Sequence, residues 1–157
     1  MTQSKEHIRA FIAHETWLLN TQAWDEWTAL FSPAGAYWMP LTPAQDSPKN
    51  HVSLMYEAAA LRAARIARLK KSDGLSVETM PRSVRHVSSL IIDSISENEW
   101  HARAAVMMAE YARGEVNTFH GTVQWHLQAS GSGLVIELKR VDLINAEGAL
   151  SDILTYI

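Results

Sequence analysis

The chain has 157 residues, of which 47% are apolar and 20% charged, and its net charge at neutral pH is −3. These values are typical of a single globular domain over residues 1–157, exclude disorder or a fibrous fold for the whole chain, and argue against nucleic acid or an anionic membrane as the main partner. Cysteine is absent, which excludes disulfides, thiolate catalysis and any cysteine-held zinc or iron–sulfur centre in this chain.

The N-terminal segment predicts two helices. Apolar residues from Ile8 to Leu19 recur at spacings of three, four and seven, and Ser4 is a suitable N-cap. A second, short helix places its apolar side chains between positions 24 and 31, and residues 32–33 (Ser-Pro) are expected to end it.

A strand and a third helix follow. Residues 36–39 before Pro40 predict a short strand, and a loop of about ten residues comes next. Residues 53–71 are dense in strong helix formers, so a helix is predicted over that whole range and is expected to end at residues 73–74 (Asp-Gly).

Beyond Pro81 the pattern changes to period two, which predicts strands joined by short turns and therefore antiparallel neighbours. In the third of these strands the odd-numbered residues 119–127 are apolar except Gly121, and Gly121 suggests a bend. The complete pattern predicts an α+β fold with N-terminal helices packed on one face of a strongly bent antiparallel sheet. The four predicted strands cover residues 85–96, 100–111, 116–129 and 134–144.

The transmembrane and targeting signals are missing from the sequence as given. No run approaches the roughly 20 consecutive apolar residues of a membrane span, and the first residues do not have the basic-then-apolar pattern of a secretion signal. We therefore expect a cytoplasmic protein with no membrane partner. The apolar residues within 150–157 indicate a C-terminal segment that is docked or interfacial.

Few residues are candidates for catalysis or for metal binding. No two of the seven histidines have the spacing that would place both rings on one metal ion. Asp25 and Glu26 point about 100° apart on a helix, so they predict a solvated face and not a carboxylate pair. His86 begins a strand beside Arg85, and two interpretations stay open: an acid–base residue in an end pocket of a bent sheet, or a hydrogen-bonded structural histidine.

The basic residues are concentrated in one region. Residues 62–85 hold seven Lys or Arg and two acids, a charge of +5 against −8 elsewhere. Arg62, Arg65 and Arg68 are spaced by three and predict a basic ridge along the third helix. This ridge is either a solvated face or a site where arginine forks bind acidic side chains of a partner subunit.

The order of four motifs resembles one family along nearly the whole chain. They are Trp24-Asp25-Glu26-Trp27 leading to Tyr37-Trp38-Met39-Pro40, the helix with Arg65 and Arg68, Pro81 followed by Arg85-His86, and Lys139-Arg140-Val141 leading to Tyr156-Ile157. In this order they resemble the small (beta) subunit of Rieske-type aromatic-ring-hydroxylating dioxygenases, a branch of the cone-shaped nuclear transport factor 2-like fold.

The resemblance implies a chain with no catalytic, cofactor-binding or metal-binding residues of its own. It implies a partner large (alpha) subunit that carries a Rieske 2Fe–2S cluster and a mononuclear iron, in an α3β3 hexamer with a trimer of small subunits as its base. The residues it suggests for subunit contacts are Arg65, Arg68, Arg85, His86, Trp38 and Tyr156.

Two functions are therefore compared. The first is a non-catalytic structural subunit of a multi-component dioxygenase that oxidises an aromatic compound. The alternative is a stand-alone isomerase, dehydratase or cyclase of the same fold that uses His86 with Tyr37 or a carboxylate as acid and base. The interior of the cone distinguishes these two functions. An enzyme needs an open pocket there, whereas a structural subunit can fill the interior with side chains such as those of Trp38, Met107 and Met108.

Overall fold

The computed structural model describes residues 3–72 and 81–157. The elements within these residues are α1 (Lys5–Asn20), α2 (Trp24–Thr28), β1 (Phe31–Pro40), β2 (Ser53–Glu57), α3 (Ala59–Ser72), β3 (Arg82–Ser94), β4 (Glu99–Ala112), β5 (Glu115–Ser130) and β6 (Gly133–Leu143).

One curled, unclosed sheet contains these six strands in the order β2-β1-β6-β5-β4-β3. The strands pair antiparallel except β1 and β6, which run parallel. Apolar side chains of α1 and α2 join those of the inner sheet face in one buried cluster. The predicted α+β architecture is confirmed, with the correction that the sheet is mixed because β1 lies beside β6.

The predicted N-terminal helices are present, but the second is shorter than expected. Oγ of Ser4 accepts a hydrogen bond of 3.1 Å from the N–H of His7, which confirms the N-cap of α1. α2 ends at Thr28, and the chain enters β1 at Phe31. Pro33 is tolerated in β1 because the pairing with β6 is irregular between Phe31 and Ala36, so no ladder donor is lost there.

The helix predicted from Ser53 is wrong in its first part. Residues 53–57 form the edge strand β2, in which Tyr56 lies opposite Trp38, and α3 begins only at Ala59. Pairing with β1 overrides the helix propensity of these residues. The predicted helix end at residues 73–74 lies outside the described residues.

The four C-terminal strands are confirmed with boundaries within a few residues. Phe119, Val123, Trp125 and Leu127 of β5 are buried, as the alternation predicts. A Cβ atom added to Gly121 would overlap the main-chain oxygen of Asp142 on β6. Glycine at this position therefore permits the close approach of the two strands.

After β6 the chain returns to the inner face of the sheet without further helix or strand. Tyr156 and Ile157 are almost completely buried against the core, so the predicted docking of this segment is confirmed. Among residues 3–72 and 81–157, no helix is both long and apolar enough to cross a membrane.

Candidate functional site

The interior of the curled sheet is centred on the ring of Tyr156. Its centroid lies 4.5 Å from that of Trp27, 5.0 Å from that of Tyr37 and 6.2 Å from that of Trp24. The Tyr37 contact is edge-on and the other two are tilted, arrangements that aromatic quadrupoles favour. The C-terminal segment thus places an aromatic ring where an enzyme of this shape would need open space.

The phenol of Tyr156 is anchored by a carboxylate. Its O–H donates to Oε2 of Glu57 at 2.5 Å, and Oε1 of Glu57 accepts from Nε of Arg65. Burial, together with this hydrogen bond, raises the pKa of Tyr156 well above its ordinary value. The phenol therefore stays protonated and acts as a hydrogen-bond donor.

The predicted basic ridge on α3 is wrong. Arg62 is 2% exposed and points into the core, where Nη1 donates to the carbonyl oxygens of Gly35 (2.6 Å) and Glu57 (3.1 Å). Burial lowers its pKa. Arg65 is half-buried against Glu57 and Arg68 is exposed, so the three side chains lie at different depths and share no surface.

Arg85 holds the C-terminal segment in place. Its Nε donates to the carbonyl oxygen of Tyr156 at 2.9 Å, Nη2 donates to the same oxygen and to Oγ1 of Thr155, and Nη1 donates to Oδ1 of Asn20. Burial lowers the pKa of Arg85 to about 10. Oγ1 of Thr155 in turn donates to Oε2 of Glu110 at 2.6 Å, so both residues preceding Ile157 are fixed from the sheet.

A second buried charge pair crosses from α1 to β6. Nζ of Lys139 donates to Oε1 of Glu15 at 2.6 Å, and Nε1 of Trp27 donates to the same oxygen at 2.7 Å. Burial lowers the pKa of Lys139, and the attraction of Glu15 opposes that effect. The charges inside the sheet are therefore held by partners in the same chain.

The acid–base pair of the alternative function is not assembled. Tyr37 is completely buried in the interior, where burial raises its pKa, whereas His86 is exposed on the opposite, outer face of the sheet beside Met107. Met108 fills the interior as predicted, but Met107 points to the outer face. The interpretation of His86 as a pocket residue facing Tyr37 is wrong.

Trp38 is buried, but not in the interior. Its neighbours Tyr37 and Met39 face the core, so Trp38 lies on the outer face, where its ring covers the guanidinium of Arg140 at 4.4 Å. Its Nε1 donates to Oγ of Ser53 at 3.0 Å. The expectation that Trp38 fills the interior is wrong, because successive side chains of a strand point to opposite faces of the sheet.

The outer face of the sheet carries an apolar patch, here called the outer patch. The strand pairings place its members together on β3, β4 and β5, and a groove of about 330 Å³ runs beside Val84, Tyr111 and Val116. Val84, Tyr111 and Val116 remain 44%, 41% and 63% exposed. The members of the outer patch are Val84, His86, Met107, Ala109, Tyr111 and Val116.

Within the described part of the chain, no cluster of three or more His, Asp or Glu side chains could hold a metal ion. His101 and His126 lie opposite each other on β4 and β5. His101 binds Oε1 of Gln124 through Nε2. Asp25 is exposed and pairs with Lys70 on the surface.

The residues suggested for subunit contacts are scattered over the molecule. Arg68 and His86 are exposed, Arg65 is half-buried, and Arg85, Trp38 and Tyr156 are buried within the chain. Sequence reasoning missed the buried acids Glu15, Glu57 and Glu110. A signal existed for Glu110, because it occupies a core-facing position in the alternation of β4.

Comparisons with known proteins agree with this architecture. The sequence profile described as the ring hydroxylating beta subunit matches residues 14–147. The 2-halobenzoate 1,2-dioxygenase small subunit of Burkholderia cepacia is 30% identical over 143 residues, covering 88% of this chain and 87% of that protein. The toluate 1,2-dioxygenase subunit beta of Pseudomonas putida is 26% identical over 150 residues, covering 92% and 93% respectively.

The fold has a solved counterpart. The crystal structure of the beta subunit of benzoate 1,2-dioxygenase from Burkholderia mallei superposes with a TM-score of 0.79 at 24% identity, covering 99% of both chains. The profile match, the relatives and the shared fold define a class of protein, the small subunits of ring-hydroxylating oxygenases. The chain belongs to the ring hydroxylating beta subunit family.

Proposed function

We propose that this chain is the non-catalytic small subunit of a multi-component dioxygenase, and that as a single domain it supports assembly of an iron-containing large subunit. The observation that carries the proposal is that side chains of residues 3–72 and 81–157 pack into the interior of the sheet. The place where a cone-shaped enzyme needs open space holds Tyr156 and paired charges, and the candidate residues His86 and Tyr37 lie on opposite faces. Family membership supplies the identity of the complex.

The finer features of the complex follow from the family resemblance. The large subunit would carry the Rieske cluster and the mononuclear iron, and three copies of each subunit would form an α3β3 hexamer on a base of small subunits. Relatives are named for 2-halobenzoate, toluate and benzoate, so a carboxylated single aromatic ring, held by the large subunit, is the proposed substrate class. An intracellular location fits a complex of this kind.

The contact surface is proposed to include the outer patch and the exposed Arg68. Apolar side chains that remain exposed in the isolated chain are typical of surfaces covered by a partner. Arg85 and Tyr156 would contribute indirectly by fixing the C-terminal segment inside the sheet, and His86 would lie within the outer patch. Arg65 on α3 and Trp38 on the outer face of β1 would contribute by holding their own elements in place.

The test is co-expression with the large subunit of a benzoate-type dioxygenase. The expected result is a hexamer by light scattering that contains iron only when the large subunit is present. Once an electron-donating reductase component and its reduced nicotinamide are added, aromatic-dependent oxygen uptake should also require the large subunit. A chain that turns over an aromatic compound by itself, or that stays unassociated with each large subunit tried, would refute the proposal.

A charge placed in the outer patch sharpens this test. Val116→Asp should weaken hexamer formation by at least tenfold, because burying an unpaired carboxylate costs more than the contact gains. The matched control is Val52→Asp, since Val52 is also strongly exposed but lies outside the outer patch. Equal assembly of the two variants would remove the outer patch from the contact surface.

A further inference from the structure

The ring of Tyr156 is surrounded in the way that a protein surrounds a bound aromatic ligand. Trp27, Tyr37 and Trp24 form its walls, and the guanidinium of Arg65 lies 5.7 Å from the ring centroid. At the far end of the ring, Glu57 accepts the phenolic proton. Aromatic walls with a small number of placed polar groups, here Glu57 and Arg65, are typical of the lining of a small-molecule site.

The parts of this site other than Tyr156 are held independently of its side chain. Glu57 lies opposite Tyr37 in the β1–β2 pairing, and its other carboxylate oxygen is bound by Arg65. The carbonyl of Glu57 is bound by Arg62. Trp27 is fixed through its Nε1 to Glu15. We therefore expect the walls and the acceptor to stay in position when the ring is removed.

The segment that delivers the ring is irregular. Residues 144–157 form neither helix nor strand. Arg85 binds the main-chain carbonyl oxygen of Tyr156, and Glu110 binds the hydroxyl of Thr155, so neither contact involves the phenol of Tyr156. The contacts that anchor the segment are thus distinct from those of the Tyr156 ring, although Tyr37 takes part in both, because its ring packs on Tyr156 and its hydroxyl accepts from the N–H of Ile157. A substitution that removes only the ring leaves the anchoring contacts intact.

We propose that the interior of the curled sheet is a binding site for a planar phenol, occupied in this chain by its own Tyr156. The chemistry that recognises the ligand is a ring that fits between Trp27 and Tyr37 and a hydroxyl that donates to Glu57. This site is separate from the subunit contacts of the proposed function and does not depend on them.

The experiment uses the full chain with Tyr156→Ala and 4-methylphenol, which reproduces the removed side chain. The expected result is saturable binding that raises the melting temperature of the variant by several degrees, as a ligand specific for the folded state does, with no effect on the wild-type chain. A cavity of about 150 Å³ is already enough to bind benzene in another protein.

Two controls make the result specific. Toluene has the same shape but no donor for Glu57, so its dissociation constant should be at least about tenfold higher than that of 4-methylphenol. Tyr56→Ala removes a tyrosine that is 45% exposed and lies next to Glu57 in sequence, and this variant should bind neither compound in a saturable way. Transferred nuclear Overhauser effects should connect the bound ligand to Trp27.

The outcomes decide the proposal in either direction. Equal effects of toluene and 4-methylphenol, the same shift in Tyr56→Ala, or no saturable shift would overturn it. If Tyr156→Ala is unfolded without ligand, refolding is repeated in 4-methylphenol: recovery of the native near-ultraviolet circular dichroism supports the proposal, and failure to refold contradicts it.

Discussion

Nζ of Lys139 lies 2.6 Å from Oε1 of Glu15, although 124 residues separate them in sequence, and both side chains are at most 3% exposed. Replacing one member leaves the other as an unpaired charge in the interior. Lys139→Met should therefore lower the free energy of unfolding by about 3–5 kcal/mol, measured by urea denaturation.

The control for this prediction is the surface pair of Arg103 with Asp93, whose side chains are about half exposed. Arg103→Ala should cost less than about 1 kcal/mol because solvent screens that pair. The double variant Glu15→Gln with Lys139→Met should recover most of the loss, since the stranded charge is gone and Trp27 keeps an acceptor. Equal costs for Lys139→Met and Arg103→Ala would contradict the assignment of a structural role to the buried pair.

Arg85 should control the order of the C-terminal segment. Arg85→Lys keeps the charge but cannot bind the carbonyl of Tyr156 and the hydroxyl of Thr155 with a rigid fork. Amide hydrogen exchange in residues 154–157 is expected to accelerate by at least tenfold. Arg82→Lys, at an exposed site against Tyr111, should leave this exchange rate unchanged, and similar rates in both variants would show that Arg85 is not the anchor.

The buried phenols of Tyr37 and Tyr156 should make a destabilising contribution that grows as the pH rises above 10. The pKa values of Tyr37 and Tyr156 are raised by burial above the ordinary value of 10.0, so in this range the unfolded chain releases two protons that the folded chain retains. Three buried cations with lowered pKa values oppose this contribution: Arg85, whose pKa is about 10 instead of 12.5, and also Arg62 and Lys139. The contribution of the tyrosines is therefore measured by comparing variants and not from the net slope.

The check is the free energy of unfolding in urea between pH 9 and 11.5. Tyr37→Phe removes one of the retained protons, so its slope should be more positive than that of the wild type by about 1.4 kcal/mol per pH unit where that tyrosine is ionised in the unfolded chain. The exposed Tyr56→Phe should preserve the wild-type slope. Equal slopes for Tyr37→Phe and the wild type would show that the phenol of Tyr37 does not retain its proton in the folded chain.

Gly121 should tolerate no side chain. A methyl group there would overlap the main-chain oxygen of Asp142, which cannot move away without disturbing the β5–β6 pairing. Gly121→Ala is expected to destabilise the chain by roughly 2 kcal/mol or more, by thermal or urea unfolding. Gly133→Ala meets its nearest additional atom at 3.8 Å and should be neutral or slightly stabilising. A reversed order of the two variants would contradict the strand approach seen here.

The sequence was sufficient for the parts of the fold that depend on local patterns. Period-two alternation located β3 to β6, and the Ser4 cap located the start of α1. It failed at residues 53–57, where helix-forming side chains form β2 because β1 offers an edge with which to pair. Which strand offers that edge depends on contacts between residues far apart in the sequence, and local patterns do not record it.

The interior site could be predicted only in part for the same reason. Arg85 and Tyr156 were both singled out by the family resemblance, but their contact joins residues 71 positions apart and depends on the return of an irregular segment. Arg62 was misplaced because its spacing from Arg65 and Arg68 describes a helix side, whereas its burial depends on the carbonyl of Gly35 on β1. Charged side chains satisfied by distant main-chain groups leave no local pattern.

The late position of Tyr156 in the sequence has a consequence for biosynthesis. Glu57 and Trp27 emerge from the ribosome many residues before the ring that covers them, so the nascent chain holds an uncovered carboxylate and exposed indoles until synthesis has passed residue 156. Synthesis of residue 156 is therefore the step that closes the core, and a chaperone or a partner that meets the chain earlier encounters an open core.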